Sequence, residues 1–149
     1  MKRYEKLAFD NHLIIVEKAG PNSKWGALIV GTIVYVNKDL TDVQKYERMR
    51  EEVAHSKYTV GDISAEDTLD KCKQETFARS KAIEEAVPLD GLIECVNNQL
   101  LLSEFADHFG VTEKYLEDAI KTYIDKRGPN FVYNGYMFDL NNGINIHTA

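Results

Sequence analysis

The start of one helix is marked more clearly than any other boundary in this chain. Thr41 and Gln44 have the spacing of a capping box, in which each side chain accepts a hydrogen bond from a backbone N–H of the first turn. A helix is therefore expected to begin near Asp42 and to end before Gly61. Apolar residues recur along one side of it at helical spacing, namely Val43, Tyr46, Met49 and Val53. The rest of the chain must therefore supply the apolar residues against which this side of the helix packs.

The opposite side of this helix carries Glu51 and His55, with Glu52 about 100° further round. Residues four apart share a helix side, so Glu51 and His55 can address one ion. Zinc peptidases use His-Glu-x-x-His, in which two ligands flank a glutamate that acts as general base. Here Glu51 stands in the place of the first histidine, while Glu52 and His55 keep the places of the base and the second ligand. The alternative is that Glu-Glu-x-x-His is simply the solvated side of a charged helix.

The first forty residues are expected to be β structure. Apolar, β-branched runs occupy residues 13–16, 26–30 and 32–36, and Gly31 separates the last two as in a hairpin. We predict that the strand at 32–36 lies at an edge of the sheet, where an extended substrate could add as a further strand.

A second helix is predicted from about residue 67 to Ala86, where Pro88 would stop it. Small residues, Ala78 and Ala82, follow Glu75 on one side of this helix. They would let it approach the first helix closely, so that Glu75 supplies a third metal ligand. A short third helix is marked by Leu89, Leu92, Ile93 and Val96.

Residues 103–127 have the pattern of a helix-turn-helix, with a turn at Gly110 and an N-cap at Thr112. They contain four basic and six acidic residues, which gives a net charge of 4 − 6 = −2. A negative net charge disfavours binding to the phosphate backbone of a nucleic acid. We therefore predict no nucleic-acid partner and a structural or substrate-docking role. Asn134-Gly135 predicts a type I′ hairpin, and the polar tail from Asn141 to Ala149 is expected to fray.

Composition sets the remaining bounds. At 149 residues and 44% hydrophobic, the chain can form one compact domain with a real core, and its net charge of −6 argues further against nucleic acid. No apolar run is long enough to span a membrane, and no signal-peptide pattern is visible. Cys72 and Cys95 lack metal or redox spacing and are expected to be buried thiols in a reducing cytoplasm.

The order of these parts resembles the ImmA/IrrE-type metallopeptidases, most of all the short forms from phages and mobile elements of Gram-positive bacteria. The likeness covers roughly residues 10–138 and lies in the order and spacing of several segments. These segments are Arg50-Glu51-Glu52-Val53-Ala54-His55, Tyr58-Thr59-Val60-Gly61-Asp62-Ile63, Lys73-Gln74-Glu75-Thr76-Phe77-Ala78-Arg79, Val87-Pro88-Leu89-Asp90-Gly91-Leu92-Ile93 and Phe109-Gly110-Val111-Thr112-Glu113.

The resemblance implies an α+β, zincin-like fold, with a catalytic core at residues 1–88 and a helix-turn-helix-like portion with a C-terminal hairpin at 89–149. It implies a cytoplasmic, metal-dependent endopeptidase that cleaves a regulatory protein, typically a helix-turn-helix repressor of a phage or mobile element. By the family's pattern, Glu52 is the base, and the metal ligands are Glu51, His55 and Glu75. Tyr58 and Asp62 are candidates for the rim of the cleft, with capping and packing as their alternative roles.

The glutamate at position 51 changes the expected chemistry of the site. One histidine and two carboxylates leave a divalent ion with no net charge, whereas two histidines and one carboxylate leave it at +1. A less positive ion acidifies water less, and oxygen ligands favour harder ions. We expect zinc first and Mn²⁺ second. The alternative is a catalytically silent binding protein of the same fold that sequesters a repressor or similar partner. The substrate, the cut site and the oligomeric state do not follow from the sequence.

Overall fold

The computed structural model describes residues 1–20, 25–59 and 68–149, with side chains from residue 71 onward in the last range. Within these ranges the chain is α+β, as predicted, with six helices and two three-stranded sheets. The helices are α1 (Arg3–Asp10), α2 (Asp42–Tyr58), α3 (Thr68–Ala86), α4 (Leu89–Asn97), α5 (Leu102–Phe109) and α6 (Glu113–Arg127). The strands are β1 (Ile14–Lys18), β2 (Ala27–Val30), β3 (Ile33–Asn37), β4 (Asn130–Tyr133), β5 (Tyr136–Asp139) and β6 (Asn145–Thr148). Two compact units result, an N-terminal unit (Met1–Ala82) and a C-terminal unit (Ile83–Ala149).

The N-terminal unit begins with a helix, so the expectation of β structure throughout the first forty residues is wrong. In α1, Tyr4, Leu7 and Ala8 are buried and are spaced for one side of a helix. The side chain of Glu5 accepts a hydrogen bond of 3.0 Å from the backbone N–H of Lys2, which caps the first turn. The helical pattern of α1 covers only eight residues. The apolar run that follows it favours β structure, and the prediction extended that β structure over α1.

The first sheet has the order β1-β3-β2, with β1 parallel and β2 antiparallel to β3. The predicted hairpin at Gly31 is confirmed, but the predicted edge position of the 32–36 strand is wrong. β3 is the central strand and bonds to a neighbour on both sides, so it cannot accept a further strand. Its side chains Val34 and Val36 are fully buried, which is what a central, strongly apolar strand requires.

The helix α2 begins where the sequence predicts. The Gln44 N–H donates to the Thr41 hydroxyl at 3.2 Å, and the Thr41 N–H donates to the Gln44 side chain at 3.0 Å. Tyr46, Met49 and Val53 are buried as expected, and α2 packs against α1, β2 and β3. Only the first member of the predicted apolar side, Val43, is exposed. The core therefore holds one side of the middle of α2, from Lys45 to Ala54.

A buried lysine joins three elements of the N-terminal unit. Lys45 on α2 is only 6% exposed, and its Nζ donates at 2.8 Å to the Glu17 carboxylate on β1. It also lies 5.3 Å from the centroid of the Tyr4 ring on α1. The hydrogen bond with Lys45 lowers the pKa of Glu17, and the same bond raises the pKa of Lys45. The pair therefore favours the folded state as long as both groups are charged.

Replacing Lys45 by Met is expected to lower the free energy of unfolding at pH 7 by about 1–2 kcal/mol, since an ion pair and a cation–π contact are lost while the buried stem is kept. The lowered Glu17 pKa stabilises the fold above the ordinary value of 4.5, and this is lost as pH falls through the folded pKa. The raised Lys45 pKa stabilises it below 10.5, and this is lost as pH rises through the folded pKa. The difference between wild type and Lys45→Met should therefore shrink at both extremes.

Urea unfolding over a range of pH measures this difference. Lys38→Met is the control, because Lys38 is an exposed lysine of the same unit. If Lys45→Met and Lys38→Met unfold at the same urea concentration at pH 7, the Lys45–Glu17 pair does not stabilise the fold.

The C-terminal unit follows the predicted boundaries closely. α5 ends at Gly110, whose φ of 66° is left-handed, and the Thr112 hydroxyl caps α6 by accepting from the Tyr115 N–H at 3.1 Å. The two-residue turn between β4 and β5 has positive φ at both Asn134 and Gly135, as a type I′ turn requires. The predicted helix pair and hairpin are thus confirmed.

Two expectations about exposure are wrong. The tail does not fray over its length: β6 pairs with β5, and Ile146 is buried at 8% exposure. Backbone hydrogen bonds between β5 and β6 keep this segment ordered, and they do not depend on the polarity of its side chains. The polar composition of the tail therefore led to a wrong prediction. Cys95 is buried, which raises the pKa of its thiol to about 11, but Cys72 is exposed on α3. None of the described helices is long and apolar enough to cross a bilayer.

Candidate functional site

Glu51, Glu52 and His55 all lie in the C-terminal half of α2, on an unbroken helix. Glu51 and Glu52 are half-buried, whereas His55 is exposed. The neighbouring Val53 and Ala54 are fully enclosed in the core, which fixes the rotation of the helix at this point. The predicted one-turn spacing between Glu51 and His55 therefore exists, on a helix whose orientation the core determines.

Glu52 lies in an environment that perturbs its carboxyl group. Partial burial raises the pKa of its carboxyl, because burial disfavours the charged form. The nearby Glu51 carboxylate raises it further, and His55 opposes the shift. A carboxyl with a raised pKa is a stronger base when it is ionised, which is a property of general bases in hydrolytic sites.

Glu75 lies on the neighbouring helix and is exposed. Ala78 and Ala82, which the sequence places beside it, are buried at 2% and 0% exposure. In the described residues, α2 and α3 meet at the rings of Tyr58 and Phe77, whose centroids are 5.7 Å apart. Tyr58 thus has a packing contact at the end of α2, which is one of the two roles expected for it.

The donor set fits a divalent ion only in part. A glutamate oxygen and an imidazole nitrogen are both ordinary ligands of Zn²⁺, and the carboxylate also suits Mn²⁺. Among the residues that the structure describes, however, no group of three or more His, Cys, Asp or Glu side chains is arranged to hold a metal. Glu51 and His55 therefore offer two donors on one helix, and Glu75 does not complete a three-donor group as placed.

The remaining candidate is Asp62, and three histidines lie outside the motif. Asp62 falls outside the described residues. His12, His108 and His147 are exposed, on the loop before β1, the last turn of α5 and β6 respectively. His108 packs edge-on against Phe109, which is a packing contact and not a ligand geometry.

A small cavity of about 260 Å³ adjoins α2 on another side. Its walls come from α2, the loop before β1 and the turn between β2 and β3. Val53, Ser56 and Lys57 are the α2 residues that line it, so the cavity does not include Glu51, Glu52 or His55. Sequence periodicity placed Val53 in the core but carried no signal for this cavity, because its other walls come from distant parts of the chain.

Comparison with models of protein families, with curated proteins and with solved structures gives no significant match.

Proposed function

We propose that this chain is a metal-dependent endopeptidase of the ImmA/IrrE type, with a zincin-like N-terminal unit, that cleaves a regulatory protein such as a helix-turn-helix repressor. The observation that carries the proposal is the sequence Glu51-Glu52-x-x-His55 on a helix packed against a small sheet, with Glu52 half-buried and its pKa raised. These features support a site in which Glu52 transfers protons next to two metal ligands, Glu51 and His55.

In this proposal Glu51 and His55 would hold a zinc ion, or Mn²⁺, and Glu75 would be the third ligand only after moving from its described position. The ion would supply a Lewis acid that polarises the scissile carbonyl and makes water acidic enough to attack. Glu52 accepts a proton from the attacking water and returns it to the leaving amine, which a carboxylate of raised pKa does readily.

The test joins metal analysis with a cleavage assay. The purified full-length chain is titrated with Zn²⁺ and with Mn²⁺ and is then incubated with a helix-turn-helix repressor encoded beside it. We expect about one bound ion per chain and a shortened repressor, with cleavage lost in chelator and restored by the ion. A chain that binds neither ion and leaves the repressor intact would contradict the proposal.

A second candidate is a catalytically silent protein that binds and sequesters the same kind of partner. It is favoured by the lack of a three-donor group among the described side chains. It predicts a stable complex with an intact repressor whether or not metal is present. Co-purification of the two proteins with added Zn²⁺ or Mn²⁺ distinguishes the candidates, because the silent protein leaves the bound repressor intact and the peptidase shortens it.

A further inference from the structure

An open apolar groove of about 460 Å³ lies in the C-terminal unit. It runs between the start of α5, one side of α6 and the loop before β6, and we call it the α5–α6 groove. The residues that matter for its chemistry are Leu102, Leu116, Ile120, Ile144, Glu113 and Glu117. This groove is separate from α2 and from every residue of the proposed peptidase site.

One side of α6 forms the length of the groove. Glu113, Leu116, Glu117 and Ile120 follow at i, i+3, i+4 and i+7, which places them on the same side of the helix. Leu116 and Ile120 form an apolar line, and the two glutamates border it. Across the groove, the Leu102 side chain is 59% exposed at the start of α5. A large exposed aliphatic residue beside an apolar groove is a common sign of a binding surface.

Three basic residues of α6 that do not line the groove are engaged with their own chain. Lys114 is paired with Asp118 at 2.8 Å, and Lys126 is paired with Glu84. Arg127 lies over the rings of Phe131 and Tyr133, with its guanidinium carbon 5.5 and 5.6 Å from their centroids.

The two glutamates of the groove have no such compensation. Glu113 and Glu117 are exposed, and neither forms an ion pair with the described part of the chain. Lys121, one turn beyond Glu117, is the basic residue that lines the groove. The border of the apolar line is therefore net negative over the first two turns of α6.

We propose that the α5–α6 groove binds an amphipathic helix of a partner protein, with aliphatic residues on its inner side and lysine or arginine on its flanks. A helix is the fitting shape, because the groove follows α6 for about two turns, roughly 12 Å, and side chains of a second helix interdigitate with such a surface. Glu113 and Glu117 select the basic flanks by charge complementarity. The proposal does not depend on metal binding or on cleavage.

Binding is measured by fluorescence anisotropy with the full-length Glu52→Gln chain, so that any peptidase activity cannot destroy the probe. The probe is a labelled helix-forming peptide of about four turns with leucines at i, i+3, i+4 and i+7 and lysines on both flanks. A matched peptide carries glutamates in place of the lysines. We expect the basic peptide to bind about tenfold tighter or more, with the preference falling as salt rises.

Two pairs of variants locate the binding surface. Leu102→Asp is expected to weaken binding of the basic peptide about tenfold or more, whereas Val132→Asp, at a similarly exposed residue of the same unit, is expected to leave it unchanged. Replacing both Glu113 and Glu117 by Lys should reverse the preference between the two peptides, while Asp125→Lys on the same helix should not.

Three results would overturn the proposal. The first is equal binding of the basic and acidic peptides, and the second is an equal effect of Leu102→Asp and Val132→Asp. The third is a dimer of the chain, seen by light scattering, that Leu102→Asp dissociates, because the groove would then be covered by a second copy. Loss of cleavage or of metal binding elsewhere in the chain has no bearing on any of these outcomes.

Discussion

Replacing Glu52 by Gln is expected to lower cleavage of the repressor by about 10²-fold or more, the usual contribution of a general base. Gln is nearly isosteric with Glu, so it fills the same half-buried position on α2 but cannot accept the proton. Because the proposal makes Glu52 the base and not a ligand, the Gln variant should still bind one equivalent of metal and unfold at the same temperature as wild type. Mass spectrometry of the co-expressed repressor measures the product, and metal analysis and thermal unfolding measure the rest.

The matched control is Glu47→Gln. Glu47 is also half-buried and lies on the same helix, but outside the Glu51–His55 segment. It should retain wild-type cleavage. If Glu52→Gln and wild type release the same product at the same rate, Glu52 is not the base. If neither cleaves and both hold the intact repressor, the binding-only candidate is correct, and Glu51→His becomes the informative next variant.

Replacing His55 by Ala is expected to abolish metal binding and cleavage together. His55 is the only imidazole of the motif, so its loss leaves carboxylates as the remaining predicted donors and removes the ligand best suited to Zn²⁺. Because His55 is exposed, the substitution should leave the metal-free fold intact. Zinc titration by calorimetry measures the loss of metal binding. Thermal unfolding with and without zinc measures it independently, because an ion that binds only the folded state raises the stability of that state.

The control for this variant is His147→Ala, which removes an exposed histidine outside the motif. It should bind zinc as wild type does. A His55→Ala chain that keeps one tightly bound zinc would show that the ion sits elsewhere. A wild-type chain whose unfolding temperature zinc does not change would show that Glu51 and His55 do not bind this metal at all.

Local chemistry made much of this fold predictable. Several boundaries are set by residues close together in the chain. Hydrogen bonds to free backbone groups mark helix starts at Thr41 with Gln44 and at Thr112, and positive φ angles turn the chain at Gly110 and at Asn134-Gly135. Such signals act over one turn and do not depend on the rest of the molecule. For the same reason the placement of Glu51 and His55 on one side of α2 could be predicted from their spacing alone.

Long-range pairing was not predictable in this way. That β3 is central depends on β1 pairing with it in parallel, and that the tail is ordered depends on β6 pairing with β5. In each case the bonds are between backbone groups of distant segments, which leave little trace in side-chain composition. The burial of Lys45 likewise depends on Glu17 and Tyr4, which come from two other elements.

The sequence by itself determined the helices α2 to α6, one hairpin in each unit and the motif on α2, but it did not reveal α1. Only the tertiary structure decided which strands are edges, that Glu52 is half-buried and that Glu75 is exposed. It also decided that Leu116 and Ile120 of α6 line an open groove. Helical spacing relates residues one turn apart through a rigid backbone. The distance between side chains on two different helices depends instead on how those helices pack, and that is set by the whole core.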